Sequence, residues 1–237
     1  FVLYGSTVLL PLLMQTLLGY PALEAGLATL PRGFASFLAM PIVGILMGKV
    51  EARKLLAGGL VASSFSLYLL SRLNLNIGIS DFVGPLLLQG AALGLLFIPL
   101  TTITNDPIPK EEMGNATSLF NLMRNIGASI GIAMVTTMLA RKQQVHVNQL
   151  GEHVTNFDAT THQTISAMQQ GLMSGGSDAA TAARQAQAAV WGMVQQHAAM
   201  MSYNDVFFLL AVLFAVMLPL ILLMRKPKHQ GGDIAVH

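Results

Sequence analysis

Residues 116–140 read ATSLFNLMRNIGASIGIAMVTTMLA. A segment needs roughly 20 mostly apolar residues to cross about 30 Å of hydrocarbon, and this run is long enough. Its apolar residues do not alternate at period two and the run is too long for a barrel strand, so it reads as a helix. Inside it sits one permanent charge, Arg124.

The charge lies deep. Arg124 is about ten residues in from Gly114, which at 1.5 Å per residue is roughly 15 Å, close to the bilayer midplane. A side chain does not easily snorkel out from there, so it needs a carboxylate, backbone carbonyls or a water-filled cavity. At about 100° per residue, Asn121, Asn125, Ala128 and Gly131 share a broad stripe with it. That polar, small stripe suits a cavity wall or gate. The competing reading is a structural arginine that locks two helices through hydrogen bonds.

The rest of the chain fits this segment. Of 237 residues, 53% are hydrophobic and 10% charged, against about 25% charged in a soluble domain. The mean hydropathy is +0.59. The class is an integral membrane protein. A net charge of +2 with no long basic run gives no reason to expect nucleic acid. With no cysteine there is no disulfide, thiolate nucleophile or Cys-based zinc site. The chain opens at Phe1 inside an apolar run, which reads as a piece whose N-terminal part is missing.

Six windows are predicted to span: 1–18, 27–48, 55–73, 83–105, 116–140 and 203–224. Lys49, Arg53, Lys54, Lys110, Arg225, Lys226 and Lys228 cluster on one set of connections. The positive-inside rule places that set, and both chain ends, in the cytoplasm; Arg141 and Lys142 run against the bias. The tail is 225–237. Residues 141–202 are one long polar segment on the opposite side, rich in Gln, Ala, His and Thr. One or two helices are expected there outside the membrane, one beginning after Ser177 or Asp178 as N-cap, with "GLMSGGSD" as a break.

Small residues spaced by four let membrane helices approach closely. Three pairs fit and predict a compact bundle: Gly44–Gly48, Gly90–Gly94 and Gly127–Gly131. Prolines 11, 31, 41, 85, 99 and 219 lie in or near spans and are expected to kink them. Arg32 is shallower than Arg124 and reads as snorkelling to the interface. Gln15 and Gln89 are expected to line a substrate path or to bridge helices. No carboxylate is expected deep in any span. His146, His153 and His162 lack the helical zinc spacing and read as surface histidines. "GASIG" matches G-x-S-x-G in letters, but Ser129 is mid-helix and no strand-to-helix turn is available for a nucleophile elbow. An enzyme and a metal site are not expected.

Four stretches together carry a resemblance: "YGSTVLLPLLMQTLLGYPALEAGLATLPRG", "PIVGILMGKVEARKLLAGG", "LLLQGAALGLLFIPLTTIT" and "GNATSLFNLMRNIGASIGIAMVTTML". In order, they resemble the fourteen-span drug:proton antiporter family (EmrB/QacA-like multidrug exporters) of the major facilitator superfamily. The resemblance implies an all-α membrane protein, here the six-helix C-terminal bundle, with 141–202 a partly helical periplasmic loop. It implies export of hydrophobic or amphipathic compounds across the bacterial inner membrane by alternating access. The energy source would be the proton gradient, with no cofactor. It implies three partners: the N-terminal bundle, a periplasmic membrane-fusion adaptor and an outer-membrane channel. Gln15, Gln89, Asn121, Arg124 and Asn125 become cavity or gate candidates. Gly44, Gly48, Lys49, Arg53 and Lys54 match the cytoplasmic loop motif, although Gly48-Lys49 stands where an Asp-Arg pair is common. The alternatives are a narrow-substrate exporter of the same fold, for a siderophore, amino acid or lipid, and a non-transporting membrane scaffold.

Overall fold

A computed structural model describes residues 1–105, 108–154 and 159–223. Among the described residues it is all-helical, with no strand. In order come α1 (Val2–Leu12), a π-helical turn (Leu13–Leu17), α2 (Ala22–Ala28), α3 (Leu30–Met47), α4 (Ala52–Leu70) and α5 (Ile79–Asn105). A short 3₁₀ turn (Lys110–Glu112) precedes α6 (Met113–His153), followed by α7 (Ala159–Ser174) and α8 (Ala179–Leu223).

Local chemistry sets the interruptions. Pro11 supplies no amide near the end of α1, and the next turn widens: the Leu18 and Tyr20 amides donate to the carbonyls of Leu13 and Met14 at 3.2 and 2.9 Å. The window 27–48 is divided at Thr29, one residue after α2, where Pro31 opens α3. Pro41, Pro85, Pro99 and Pro219 lie inside helices. Asp178 caps α8 by accepting from the amides of Ala180 and Thr181, both at 3.1 Å. Gly176, at φ +97°, makes the preceding turn.

Four stretches are long and apolar enough to cross a membrane: Ala22–Met47, Ile79–Thr104, Met113–Glu152 and Ala179–Ile221. Val2–Leu17 is apolar but shorter. α4 falls outside the set because Arg53, Lys54 and Ser63, Ser64 and Ser66 dilute it.

Neither edge of the polar segment 141–202 is a structural break. α6 passes Ala140 and continues to His153, while α8 runs unbroken through position 203 for 45 residues, roughly 68 Å of helix. Gln and Ala are good helix formers, and no proline interrupts either helix there. The tail 225–237 lies outside the described residues.

α5 and α8 organise the bundle: α3 and α4 pack on α5, and α4, α6 and α7 pack on α8, with α1 against α6. Leu9, Leu13, Met14, Leu67, Phe82, Leu86, Val206, Phe207 and Leu210 are among its most buried apolar side chains. The glycine pairs differ. A Cβ at Gly90 would strike the Arg32 carbonyl and come within 2.8 Å of Ala35 Cβ; at Gly94 it would come within 2.9 Å of Ala39 Cβ. Those two glycines let α5 meet α3. Gly127 and Gly131 lie against the Phe1 backbone. Gly44 has nothing within 4 Å and Gly48 meets only Ile45 of its own turn, so this pair makes no helix contact among the described residues. Gly5 against Val135 and Gly59 against Leu96 are close contacts that the four-residue spacing missed.

Candidate functional site

Arg124 projects from α6 into the open. Its side chain is exposed, and it has no hydrogen bond or ion pair among the described residues. Asn125 is exposed and Asn121 half-buried, likewise without a partner. No hydrogen bond from Arg124 locks two helices among the described residues. By helical register Arg124 shares a face with Gly127 and Gly131, which carry the Phe1 end of α1. The face leaves a guanidinium and two carboxamides unused for internal bonds.

The other candidates lie elsewhere. Gln89 is buried, 3% exposed, and its Nε2 donates to Ser6 Oγ at 3.4 Å. Ser6 Oγ in turn donates to the Leu3 carbonyl at 2.8 Å. Gln89 thus bridges α5 and α1. Gln15 is exposed on the π turn, at the end of the first helical segment away from Phe1 and so roughly 20 Å from the α6 contact. Its neighbour Thr16 shares a 3.2 Å hydrogen bond with Tyr203 of α8. Arg32 does not run free to an interface: its Nη2 donates to Thr7 Oγ1 at 2.7 Å. Lys49 and Lys54 are exposed and Arg53 half-buried, and none forms an ion pair among the described residues.

A cluster that sequence reading missed joins α6 to α8. Lys142 Nζ and His146 Nε2 both approach Asp205 Oδ2, at 2.9 and 3.0 Å. His146 is buried rather than on the surface; the side chain of His153 lies outside the described residues, and His162 is exposed. The signal was available: Lys142 and His146 are four apart on one helical face, and Asp205 stands at the start of an apolar run. Asp205 also accounts for the position of Lys142, whose charge ran against the topology bias. Asp205→Ala is expected to cost about 1 kcal/mol, since the pair is partly exposed, and to lower Tm by a few degrees. Lys142→Ala should cost less because His146 remains. An unchanged Tm for Asp205→Ala would show the cluster to be passive.

Beside this cluster, two adjoining clefts of about 500 and 600 Å³ share Gln143 and Gln195. Thr16 and Tyr203 line the first, Gln144 and Asn148 the second. On the single rod of α6, Gln143 is roughly 28 Å from Arg124, so the clefts and the Arg124 face are separate places.

Long apolar helices and glycine-mediated contacts between them together define a multi-pass helical membrane protein. The sequence profile of the Major Facilitator Superfamily matches residues 1–141, and the chain belongs to that superfamily. Its members are transporters rather than enzymes. The chain is similar to the fatty acid resistance protein FarB of Neisseria gonorrhoeae, 30% identical over 98% of this chain and 44% of that protein. It is also similar to the multidrug export proteins EmrB of Escherichia coli K12, 32% identical over 97% of this chain and 43% of that protein, and of Haemophilus influenzae, 33% identical over 96% and 43%. The chain thus spans less than half the length of these relatives.

Proposed function

We propose that this chain forms one wall of a proton-driven exporter of hydrophobic and amphipathic compounds in the bacterial inner membrane. The bundle would rock against a second bundle by alternating access. The observation that carries the reading is Arg124. A charge near the middle of an apolar span, flanked by Asn121 and Asn125 and bonded to nothing among the described residues, is a group kept for a ligand or a facing helix. Superfamily membership and the likeness to multidrug export proteins support it. The positive-inside bias puts both chain ends in the cytoplasm and the extended ends of α6 and α8 outside, where a membrane-fusion adaptor leading to an outer-membrane channel would meet them.

A second reading concerns the substrate. A cationic face favours anionic amphiphiles, and one relative bears the name of fatty acid resistance. Both readings are tested on the full-length protein in proteoliposomes with an imposed pH gradient. Gradient-dependent transport of a fluorescent lipophilic cation, or of laurate, is the expected result. Transport of laurate alone selects the narrower reading. No transport of either under a gradient would defeat both.

A further inference from the structure

A groove runs between α4 and α8, lined by no residue of α6. The helices are antiparallel there, for Ser64 Oγ donates to the Ala211 carbonyl at 2.8 Å and Asn204 Nδ2 donates to the Leu73 carbonyl at 2.9 Å. The groove encloses about 290 Å³. One wall is Val61, Phe65 and Tyr68, at helical spacing on α4; the other includes Phe208, Ala215 and Leu218 on α8. Phe65 and Phe208 are each 52% exposed. The side chains of Ala211 and Ala215 are too short to fill the space between the aromatic walls. From Phe208 to Leu218 the groove is roughly 15 Å long.

One end carries a positive charge. Arg72 lies one turn beyond Tyr68 on the same face of α4. Its guanidinium carbon stands 5.2 Å over the Tyr68 ring, and its Nη2 donates to the Tyr68 hydroxyl at 2.8 Å. Stacking on the ring holds the side chain at the groove's mouth. The guanidinium has five N–H donors, and the Tyr68 bond uses one. No carboxylate pairs with Arg72 among the described residues. An apolar slot, with an exposed, aromatic-braced arginine with spare donors stacked on the tyrosine that lines it, matches an acyl chain joined to a phosphate.

We propose that the α4–α8 groove binds one acyl chain of an anionic phospholipid, with the lipid phosphate held by Arg72. Charge complementarity decides the head and the aliphatic and aromatic walls decide the tail. The site needs only that these helices meet lipid, so it stands apart from the transport reading.

The test uses the full-length protein purified in a neutral detergent. Tm is followed while dioleoylphosphatidylglycerol, dioleoylphosphatidylcholine or inorganic phosphate is added. Phosphatidylglycerol should raise Tm at a roughly tenfold lower concentration than phosphatidylcholine: both offer Arg72 a phosphate for charge-assisted hydrogen bonds, but the choline cation of phosphatidylcholine offsets that charge and repels the guanidinium. Inorganic phosphate alone should do nothing. Arg72→Gln should erase the preference between the two lipids, and Arg72→Lys should restore part of it. Ala215→Phe, which fills the slot, should abolish the response to both. The proposal is overturned if Arg72→Gln keeps the wild-type preference, if free phosphate reproduces the shift, or if Ala215→Phe responds as wild type. Equal shifts from both lipids would overturn the headgroup site.

Discussion

Arg124→Ala in the full-length protein is expected to abolish resistance and gradient-driven transport while the protein still reaches the membrane and keeps its Tm. The two halves of that result follow from one observation. The side chain is exposed and makes no bond among the described residues, so its removal should stay within about 0.5 kcal/mol of wild-type stability. A charge-assisted contact with substrate or with a facing helix is worth about 1.5–3 kcal/mol, roughly tenfold to a hundredfold in apparent affinity. Arg124→Lys keeps the charge and loses the planar fork, and should lie between the two. Wild-type transport by Arg124→Ala would remove the residue from the mechanism. A large loss of Tm would mean that it acts as a structural lock.

Gly90→Leu should have the largest effect on stability. The atoms that a Cβ would meet there are the Arg32 carbonyl and Ala35 Cβ, and backbone cannot swing aside as a long side chain can. Overpacking alone costs about 1–3 kcal/mol. Because α5 is the helix on which both α3 and α4 pack, the expected cost is about 3 kcal/mol or more, read as lost membrane yield and a much lower Tm. Gly44→Leu is the matched control. It has the same residue type and sits in a pair of the same spacing, but nothing lies within 4 Å, so it should leave yield and Tm nearly unchanged. Equal losses at the two positions would show that glycine spacing, rather than contact, sets the cost.

The contrast between these glycines shows how far the sequence could be read. All three pairs carry the same letters, and spacing by four says only that a helix has a narrow face. Whether another helix uses that face depends on what crosses it, which is α3 for Gly90 and Gly94 and the start of α1 for Gly127 and Gly131. Gln89 follows the same logic. A glutamine in an apolar run must find a partner somewhere, and Ser6, far away in sequence, turns it from a path-lining candidate into a bridge. His146 was misplaced because it lies in a polar segment. Local polarity is a poor guide where two long helices run side by side and bury one stripe of each.

Hydropathy is a sum over neighbouring residues, and a span must satisfy its own backbone hydrogen bonds. The sequence by itself therefore determined the helical membrane class, the approximate positions of the long apolar segments, the resemblance to drug exporters and the anomaly of Arg124. Side-chain pairing is a property of contact between segments far apart in the chain. Only the tertiary structure decided that α6 and α8 continue as rods through the polar segment, that Asp205 gathers Lys142 and His146, and that Arg32 is bonded to Thr7. Arg124, by contrast, has no partner among the described residues. The charge in the middle of residues 116–140 is thus exposed and unbonded among the described residues of the helices that carry it.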